Sequence, residues 1–357
     1  MTEVSPGPGE KPPTAKEKEA LKTLVSGIVL AQGNIFIKEL LRRRKIKIGT
    51  TKADFVNNMM QAVEDGILRR WDVDQWLDEV EGWGDQHVYL FKVPLELAND
   101  PIWSDRARLQ GKLEKAGLGK QWNALASLEY PTKRKLTGVY SDGPAIRFVW
   151  HEGLDSWVRD KSKDYTDEIE GDDYEFRAHR KQAERWVMRF EMRPRERMAA
   201  VFMQIPWTAE SHDEAMSEVK TTVAPVVDFS RLSQFSVSTA IKTLDAASLA
   251  SEAPGGEGVK PQLTRLSGAG AYVEFASTSG ERSYQDFGPV REVRRALKPG
   301  SFKGLNGIFR FSPTATKQLE REIKVQLYGG EYPRIRLWAQ MTALEVWEIL
   351  RILKSNA

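Results

Sequence analysis

The chain has 357 residues, 41% of them hydrophobic and 10% aromatic, which is enough to build two or three folded domains. It contains no cysteine, which excludes disulfides, thiolate metal sites and cysteine nucleophiles and favours a reducing compartment. The net charge is only +3, from 53 Lys and Arg against 50 Asp and Glu. A polyanion would therefore be bound by a local patch and not by the overall charge.

The first residues, 1–15, are rich in Pro, Gly and Glu and predict a disordered tail without a secretory signal. The apolar run Leu24–Ala31 is interrupted by Ser26 and Gly27 and falls well short of the ~20 apolar residues of a membrane-spanning helix. We therefore expect no membrane association, and a location in the cytoplasm, on the nucleoid, or in the nucleus.

Residues 16–95 predict a helical domain, because apolar residues recur there at helical spacing. Thr51 and Asp54 form a capping-box pattern at the start of one helix, and Gly66 is typical of its end. A short extended piece, 45–49, precedes this helix. The predicted helices cover 16–31, 35–44, 52–65 and 73–80, the last of them capped by Asp72, and a buried strand covers 87–93.

Charge is segregated within this domain. Between Asn34 and Lys52 there are seven basic residues and one acid, Glu39, whereas Ala53–Leu90 contains nine acids and two arginines. The second helix of the pair begins at Gly49-Thr50-Thr51-Lys52, and a helix N-terminus offers free N–H groups and partial positive charge to a phosphate. This arrangement predicts a phosphate-binding turn.

The stretch IKELLRRRKIKIGTTKADFVNNMMQAV, residues 37–63, resembles the SAP module, a small helix–extended–helix DNA-binding motif. Ile37, Leu40 and Leu41 match its first helix, and Phe55, Val56 and Met59 match the apolar positions of its second helix. The sequence departs from the family at Asn57 and Asn58, where a basic residue often stands. The predicted DNA-binding residues are Lys38, Arg42, Arg43, Arg44, Lys45, Lys47, Gly49, Thr50, Thr51 and Lys52.

The resemblance implies binding to DNA, with a duplex favoured over RNA, although phosphate contacts alone do not separate the two. The alternative is that this basic helix is solvated and packs on the acidic segment that follows it.

The rest of the chain predicts a central domain, 105–250, and a C-terminal domain, 263–357, joined by a linker at 251–262. The strands fall into hairpins more often than into β–α–β units, so we expect an α+β fold with a mixed, mostly antiparallel body. The acidic run 164–175 predicts an exposed loop or helix end. The predicted hairpins are 271–276 with 282–287 and 323–328 with 334–338, followed by a terminal helix at 342–354.

A second basic cluster lies on a strand predicted over 184–193, beside Trp186. Charge and stacking there would suit a nucleic acid, while the alternative is pairing with the acidic run or with a partner protein. A basic helix at 289–298 leaves the same two interpretations open. The residues of the secondary patch are Arg185, Arg189, Arg193, Arg195 and Arg197.

No motif for a cofactor or a metal site is present, and no two of the four histidines stand at metal-ligand spacing. The sequence therefore favours a non-enzymatic DNA-binding protein that anchors a larger complex. One alternative is a protein-interaction subunit without intrinsic DNA binding. A third is a metal-dependent nuclease, suggested only by the E-x-K tripeptides Glu218–Lys220 and Glu322–Lys324.

Overall fold

The chain divides into two units, one that ends at Glu81 and one that begins at Gly82. The boundary predicted near 95–105 thus lies inside the second unit, to which the strand predicted at 87–93 belongs. The computed structural model describes residues 13–29, 32–124, 131–141, 145–204, 209–250, 258–268, 270–278, 282–297 and 302–357. Most of the predicted tail, 1–12, lies outside these ranges, as does 251–257 of the predicted linker.

The first unit is helical, as the apolar spacing predicts. Its helices are α1 (Ala15–Leu24), continued by a π-helical turn (Val25–Val29), α2 (Asn34–Arg43), α3 (Lys52–Glu64) and α4 (Arg70–Val80). Gly66 follows α3 with φ of 71°, the left-handed conformation that makes glycine typical after a helix. Asp72 is not the N-cap of α4 but lies in its first turn, where its carboxylate accepts the Arg69 N–H at 2.9 Å.

The second unit combines helices with a large sheet, so the predicted α+β fold is confirmed. Its helices are α5 (Leu95–Ala98), α6 (Arg106–Lys115), α7 (Ala209–Val223), α8 (Val237–Ala250), α9 (Gly288–Ala296) and α10 (Ala343–Ser355). None of the helices within the described ranges is both long and apolar enough to cross a membrane.

The strands form one eleven-stranded sheet and one separate hairpin. The order across the sheet is β10-β9-β11-β12-β13-β1-β7-β6-β3-β2, with β8 paired to one end of β1. The strands are β1 (Gly84–Lys92), β2 (Lys135–Ser141), β3 (Ile146–Arg159), β4 (Tyr165–Ile169), β5 (Asp172–Phe176), β6 (His179–Arg193), β7 (Met198–Met203), β8 (Ser233–Gln234), β9 (Val259–Gly268), β10 (Ala271–Ala276), β11 (Lys303–Phe311), β12 (Ile323–Tyr328) and β13 (Arg334–Gln340).

The central strands β1 and β7 contribute side chains to two hydrophobic cores, one on each face of the sheet. Because successive side chains of a strand point to opposite faces, Val88 and Leu90 enter one core while Tyr89 and Phe91 enter the other. The first core lies against β9 and β11–β13 and contains side chains of α8 and α10. The second lies against β3 and β6 and contains side chains of α6 and α7. The predicted central and C-terminal regions therefore contribute to one sheet.

The structure differs from two predictions, one about the acidic run 164–175 and one about the hairpin of 271–276 with 282–287. The acidic run 164–175 is neither a loop nor a helix end but contains the paired strands β4 and β5, since exposed side chains on both faces are compatible with a two-stranded ribbon. Strand β10 does not pair with 282–287, which holds a short 3₁₀ turn, but pairs antiparallel with β9. The expected turn residues Ser279 and Gly280 lie outside the described ranges.

Candidate nucleic-acid interface

The segment between α2 and α3 contains neither helix nor strand and is held at both ends. The Ile46 N–H donates to the Leu41 carbonyl at 2.8 Å, and the Ile46 side chain is buried. On the other side, the Asn58 side-chain amide donates to the Lys47 carbonyl at 2.9 Å. Lys45, with φ of 53°, forms the bend that ends α2. The two predicted helices are therefore joined by a short non-helical segment, in which Asn58 has a structural part.

The N-terminus of α3 is already occupied by a carboxylate of the same chain. The N–H groups of Thr50 and Thr51 each donate to Asp54 Oδ2 at 2.9 Å, and the Asp54 N–H donates to Thr51 Oγ1 at 3.1 Å. These bonds, chiefly the one from the Thr51 N–H, lower the pKa of Asp54 from 3.8 to about 2. Asp54 is thus ionised at neutral pH and takes the place predicted for a phosphate at these two amides.

Gly49 permits this close approach. A Cβ added at Gly49 would lie 1.9 Å from Asp54 Cβ, a distance at which the backbone or the Asp54 side chain would have to move. The sequence pattern predicts that this glycine allows close contact with a ligand. In the structure the atoms that approach it belong to Asp54, which explains the residue without a ligand.

Two of the predicted DNA-binding arginines are engaged by acids of the same unit. Arg43 donates to Glu79 at 2.7 Å and to Glu39 at 2.6 Å. Arg44 forms an ion pair with the buried Asp72 and lies over the Trp71 ring, 5.8 Å from its centroid. The predicted alternative, packing of basic residues against the acidic segment, therefore holds for this pair of arginines.

The other cations are placed differently. Arg42, Lys45 and Lys47 are exposed, and none of them forms an ion pair with a residue of the described ranges. Lys52 is exposed in the first turn of α3, beside the exposed Thr50 and Thr51. Lys38 is half-buried, with Nζ 5.9 Å from the Phe55 ring centroid. The positive charge directed to the surface comes from the end of α2 and from the segment between α2 and α3.

The secondary arginine patch is divided between the interior and the surface. Arg189 is 3% exposed and lies 4.0 Å from the Trp83 ring centroid. Arg193 lies 4.2 Å from the Trp347 ring centroid and donates to the buried Glu191 at 2.7 Å. Arg185 is half-buried, whereas Arg195 and Arg197 are exposed in the turn after β6. The five arginines do not form one surface.

The basic helix α9 also directs one of its charges inward. Arg294 and Asp245 form a completely buried ion pair, with Arg294 Nε 2.6 Å from Asp245 Oδ2. The Tyr284 hydroxyl and the Gln285 amide donate to the other Asp245 oxygen. Arg295 is paired with Glu292 on the same helix. This cluster joins α8 to the segment 284–294.

The two E-x-K tripeptides lie on different kinds of element. Glu218–Lys220 lies on the helix α7, whereas Glu322–Lys324 stands at the start of the strand β12. The Glu322 carboxylate is bound by Lys260 and Arg310, each at 3.2 Å. His87 and His212, far apart in sequence, have ring centroids 5.0 Å apart. Within the described ranges, no group of three His, Cys, Asp or Glu residues could hold a metal ion.

The sequence matches no established protein-family profile and no curated protein. The SAP-like character of residues 37–63 therefore remains an interpretation of its residues and their arrangement. The capping pattern of Thr51 and Asp54 is visible in the sequence, but its effect on the predicted phosphate site became visible only in the structure. The pattern itself was the signal, because a capping-box carboxylate accepts N–H groups at the start of its own helix.

Proposed function

We propose that the protein binds duplex DNA through the end of α2 and the segment between α2 and α3, and so anchors a larger assembly on DNA. The observation that carries the proposal is the group of exposed cations Arg42, Lys45 and Lys47, which have no acidic partner in the described ranges. Arg42 lies in the last turn of α2, and Lys45 and Lys47 stand on a segment held in place by Ile46 and by the Asn58 amide. Because the backbone of this segment is already held, only the side chains must be ordered when they meet phosphates.

The contact would be made by side chains, because Asp54 already accepts the amides at the start of α3. Lysine and arginine side chains that neutralise phosphates release counterions, and this contribution does not depend on base sequence. The expected binding is therefore sensitive to salt and tolerant of sequence. Arg43 and Arg44 support the fold through Glu79 and Asp72 and are not part of the proposed contact.

The test is a salt titration of duplex DNA binding by the full chain and by the double variant Lys45→Glu/Lys47→Glu. Each phosphate that the variant no longer neutralises should reduce the slope of log K against log salt by about 0.9, so the expected reduction is about 1.8. Lys16→Glu/Lys112→Glu is the matched control, because it makes the same change of four charge units at exposed positions of α1 and α6. Equal slopes for the wild type and the double variant would refute the proposal.

A protein-interaction subunit is the second candidate, and the β4–β5 hairpin favours it. Residues 165–176 contain six acids and no base, and all of the positions from Tyr165 to Glu175 are exposed. Tyr165 and Tyr174 add exposed rings. Such a tip suits a basic protein surface and would be repelled by DNA. A stable complex with a purified basic partner that is lost in Asp172→Lys/Asp173→Lys, together with no DNA binding by the wild type, would favour this candidate.

A further inference from the structure

The sheet has a polar face opposite the core formed with α8 and α10. Along β12 and β13, Ile323, Val325, Leu327, Ile335 and Leu337 point into that core. Because side chains alternate along a strand, the residues between them point to the other face. The outward residues that carry charge or an aromatic ring are Lys324, Tyr328, Arg334, Arg336 and Trp338.

One row across this face is basic and ends at a tryptophan. Arg310 on β11 pairs in register with Lys260 on β9 and with Lys324 on β12. Lys324 Nζ lies 5.5 Å from the ring centroid of Trp338 on β13. Glu322 accepts from both Lys260 and Arg310, so these two cations share one carboxylate. Lys324 has no carboxylate partner in the described ranges, which leaves the row with an excess of positive charge.

Aromatic rings on the same face lie close to arginines. Trp338 is 48% exposed, and the Arg336 guanidinium lies 5.4 Å from its centroid. On the neighbouring strand, Tyr328 has its ring centroid 4.1 Å from the Arg334 guanidinium. Arg336 also donates to Asp85 at 2.6 Å, which fixes its direction. The face therefore presents an exposed indole ring beside two cations, Lys324 and Arg336.

We propose that this face, defined by Lys260, Arg310, Lys324, Arg336 and Trp338, binds a single-stranded nucleic acid. An unpaired base can stack on the exposed indole, while the adjacent phosphates meet Lys324 and Arg310. Stacking on aromatic residues combined with a basic track is the general physical basis of single-strand binding, and it tolerates any base. An acidic peptide would satisfy the cations, but it could stack on the ring only where it carries an aromatic residue, whereas every nucleotide carries a base.

A duplex fits this face poorly. The bases of a duplex are stacked on each other, so the indole could not reach a base face. The proposed ligand and site are thus distinct from the duplex contact of α2 and α3, and neither proposal depends on the other.

The experiment measures the fluorescence anisotropy of a labelled oligothymidylate and a labelled oligouridylate with the full chain. All variants carry Lys45→Glu/Lys47→Glu, so that the α2–α3 segment contributes little. Trp338→Ala should weaken binding about tenfold, and Trp338→Phe should retain most of the affinity. Lys324→Ala should reduce the salt slope by about 0.7, the value for one phosphate neutralised on a single strand.

Matched controls are Trp157→Ala and Lys112→Ala. Trp157 on β3 is 68% exposed, and Lys112 is an exposed lysine of α6. Thermal unfolding of each variant verifies that the fold is retained. Equal reductions in affinity for Trp338→Ala and Trp157→Ala would overturn the proposal. It would also be overturned if duplex DNA competed as well as the single strand, or if polyglutamate did, since the latter would assign the face to acidic peptides.

Discussion

The basic residues of α9 and those of the segment between α2 and α3 are both clustered in the sequence, but the structure buries Arg294 of α9 and exposes Lys45 and Lys47. Arg294 and Asp245 are both completely removed from solvent, and Tyr284 and Gln285 complete the hydrogen bonds of the carboxylate. Lys45 and Lys47 are exposed on the segment between α2 and α3. A buried charge is kept by its partners, whereas an exposed charge on a fixed backbone is available to a ligand.

The difference shows that clusters of arginine and lysine in a sequence indicate function only after burial is known. Arg189 and Arg193 belong to the predicted basic patch on β6. In the structure, Arg189 packs against Trp83 and Arg193 packs against Trp347. Both tryptophans are buried. These arginines therefore contribute to packing through their flat guanidinium groups, and their charge says little about a polyanion.

The largest effect is expected from breaking the buried pair. Asp245→Ala leaves Arg294 charged in the interior, and we expect it to lower the free energy of unfolding by about 3–5 kcal/mol in urea denaturation. Glu274→Ala is the control, because it breaks the exposed pair Arg265–Glu274 on β9 and β10 and should change stability by less than about 1 kcal/mol. Similar destabilisation in both variants would contradict the distinction between the two kinds of ion pair.

The double variant Asp245→Leu/Arg294→Met separates charge from packing. It removes both charges together, so it should be more stable than Asp245→Ala. A double variant that is less stable than the single one would show that the hydrogen bonds of Tyr284 and Gln285, and not the unpaired charge, dominate.

A smaller and pH-dependent effect is expected at His87, a buried residue of β1. Burial, assisted by the charges of Arg336 and Arg334, lowers its pKa from 6.5 to about 3. The unfolded chain therefore takes up a proton near pH 6.5, while the folded chain does so only near pH 3. The stability contributed by neutral His87 is complete above pH 6.5 and is lost as the pH falls towards 3, with a slope of up to about 1.4 kcal/mol per pH unit.

The measurement is the free energy of unfolding in urea at several pH values between 7 and 4, for the wild type and for His87→Gln. The variant should lack the part of the slope that belongs to His87. His179→Gln, at an exposed position of β6, is the control. Parallel curves for the wild type and His87→Gln would contradict the lowered pKa.

The smallest effect is expected at Asp54. It tests whether this carboxylate lowers the affinity of the segment between α2 and α3 for duplex DNA. Because its pKa is lowered to about 2, Asp54 stabilises the start of α3 above pH 3.8, and this stability is lost as the pH falls towards 2. Asp54→Asn should therefore be slightly less stable than the wild type at pH 7 and no less stable at pH 2. It should also bind duplex DNA more tightly, because it removes a negative charge beside Lys52.

Asp65→Asn is the matched control, since it removes one charge at the other end of α3. Duplex affinity, measured by anisotropy at constant salt, should rise more for Asp54→Asn than for Asp65→Asn. Equal increases would mean that only the total charge matters.

The helices of the first unit and most strands of the second could be predicted from the sequence, because their apolar residues follow the period of a helix or a strand. Capping patterns located both ends of α3. The pairing of β10 with β9, and the position of β13 beside β1, could not be predicted, because strand order depends on contacts far apart in sequence. The alternation of Lys324, Tyr328, Arg336 and Trp338 was visible in the sequence, but their common face became visible only with the strand order.

The position of β13 also has a consequence for folding during synthesis on the ribosome. Asp85 and Arg336, paired across the ends of β1 and β13, are 251 residues apart. At about 5–20 residues per second, roughly 13–50 s separate the synthesis of these two strands. During that interval β13 has not been synthesised, so the edge of β1 that pairs with it is unpaired. Unpaired strand edges can associate with other chains. We therefore expect nascent chains stalled before β13 to depend on chaperones far more than the finished protein does.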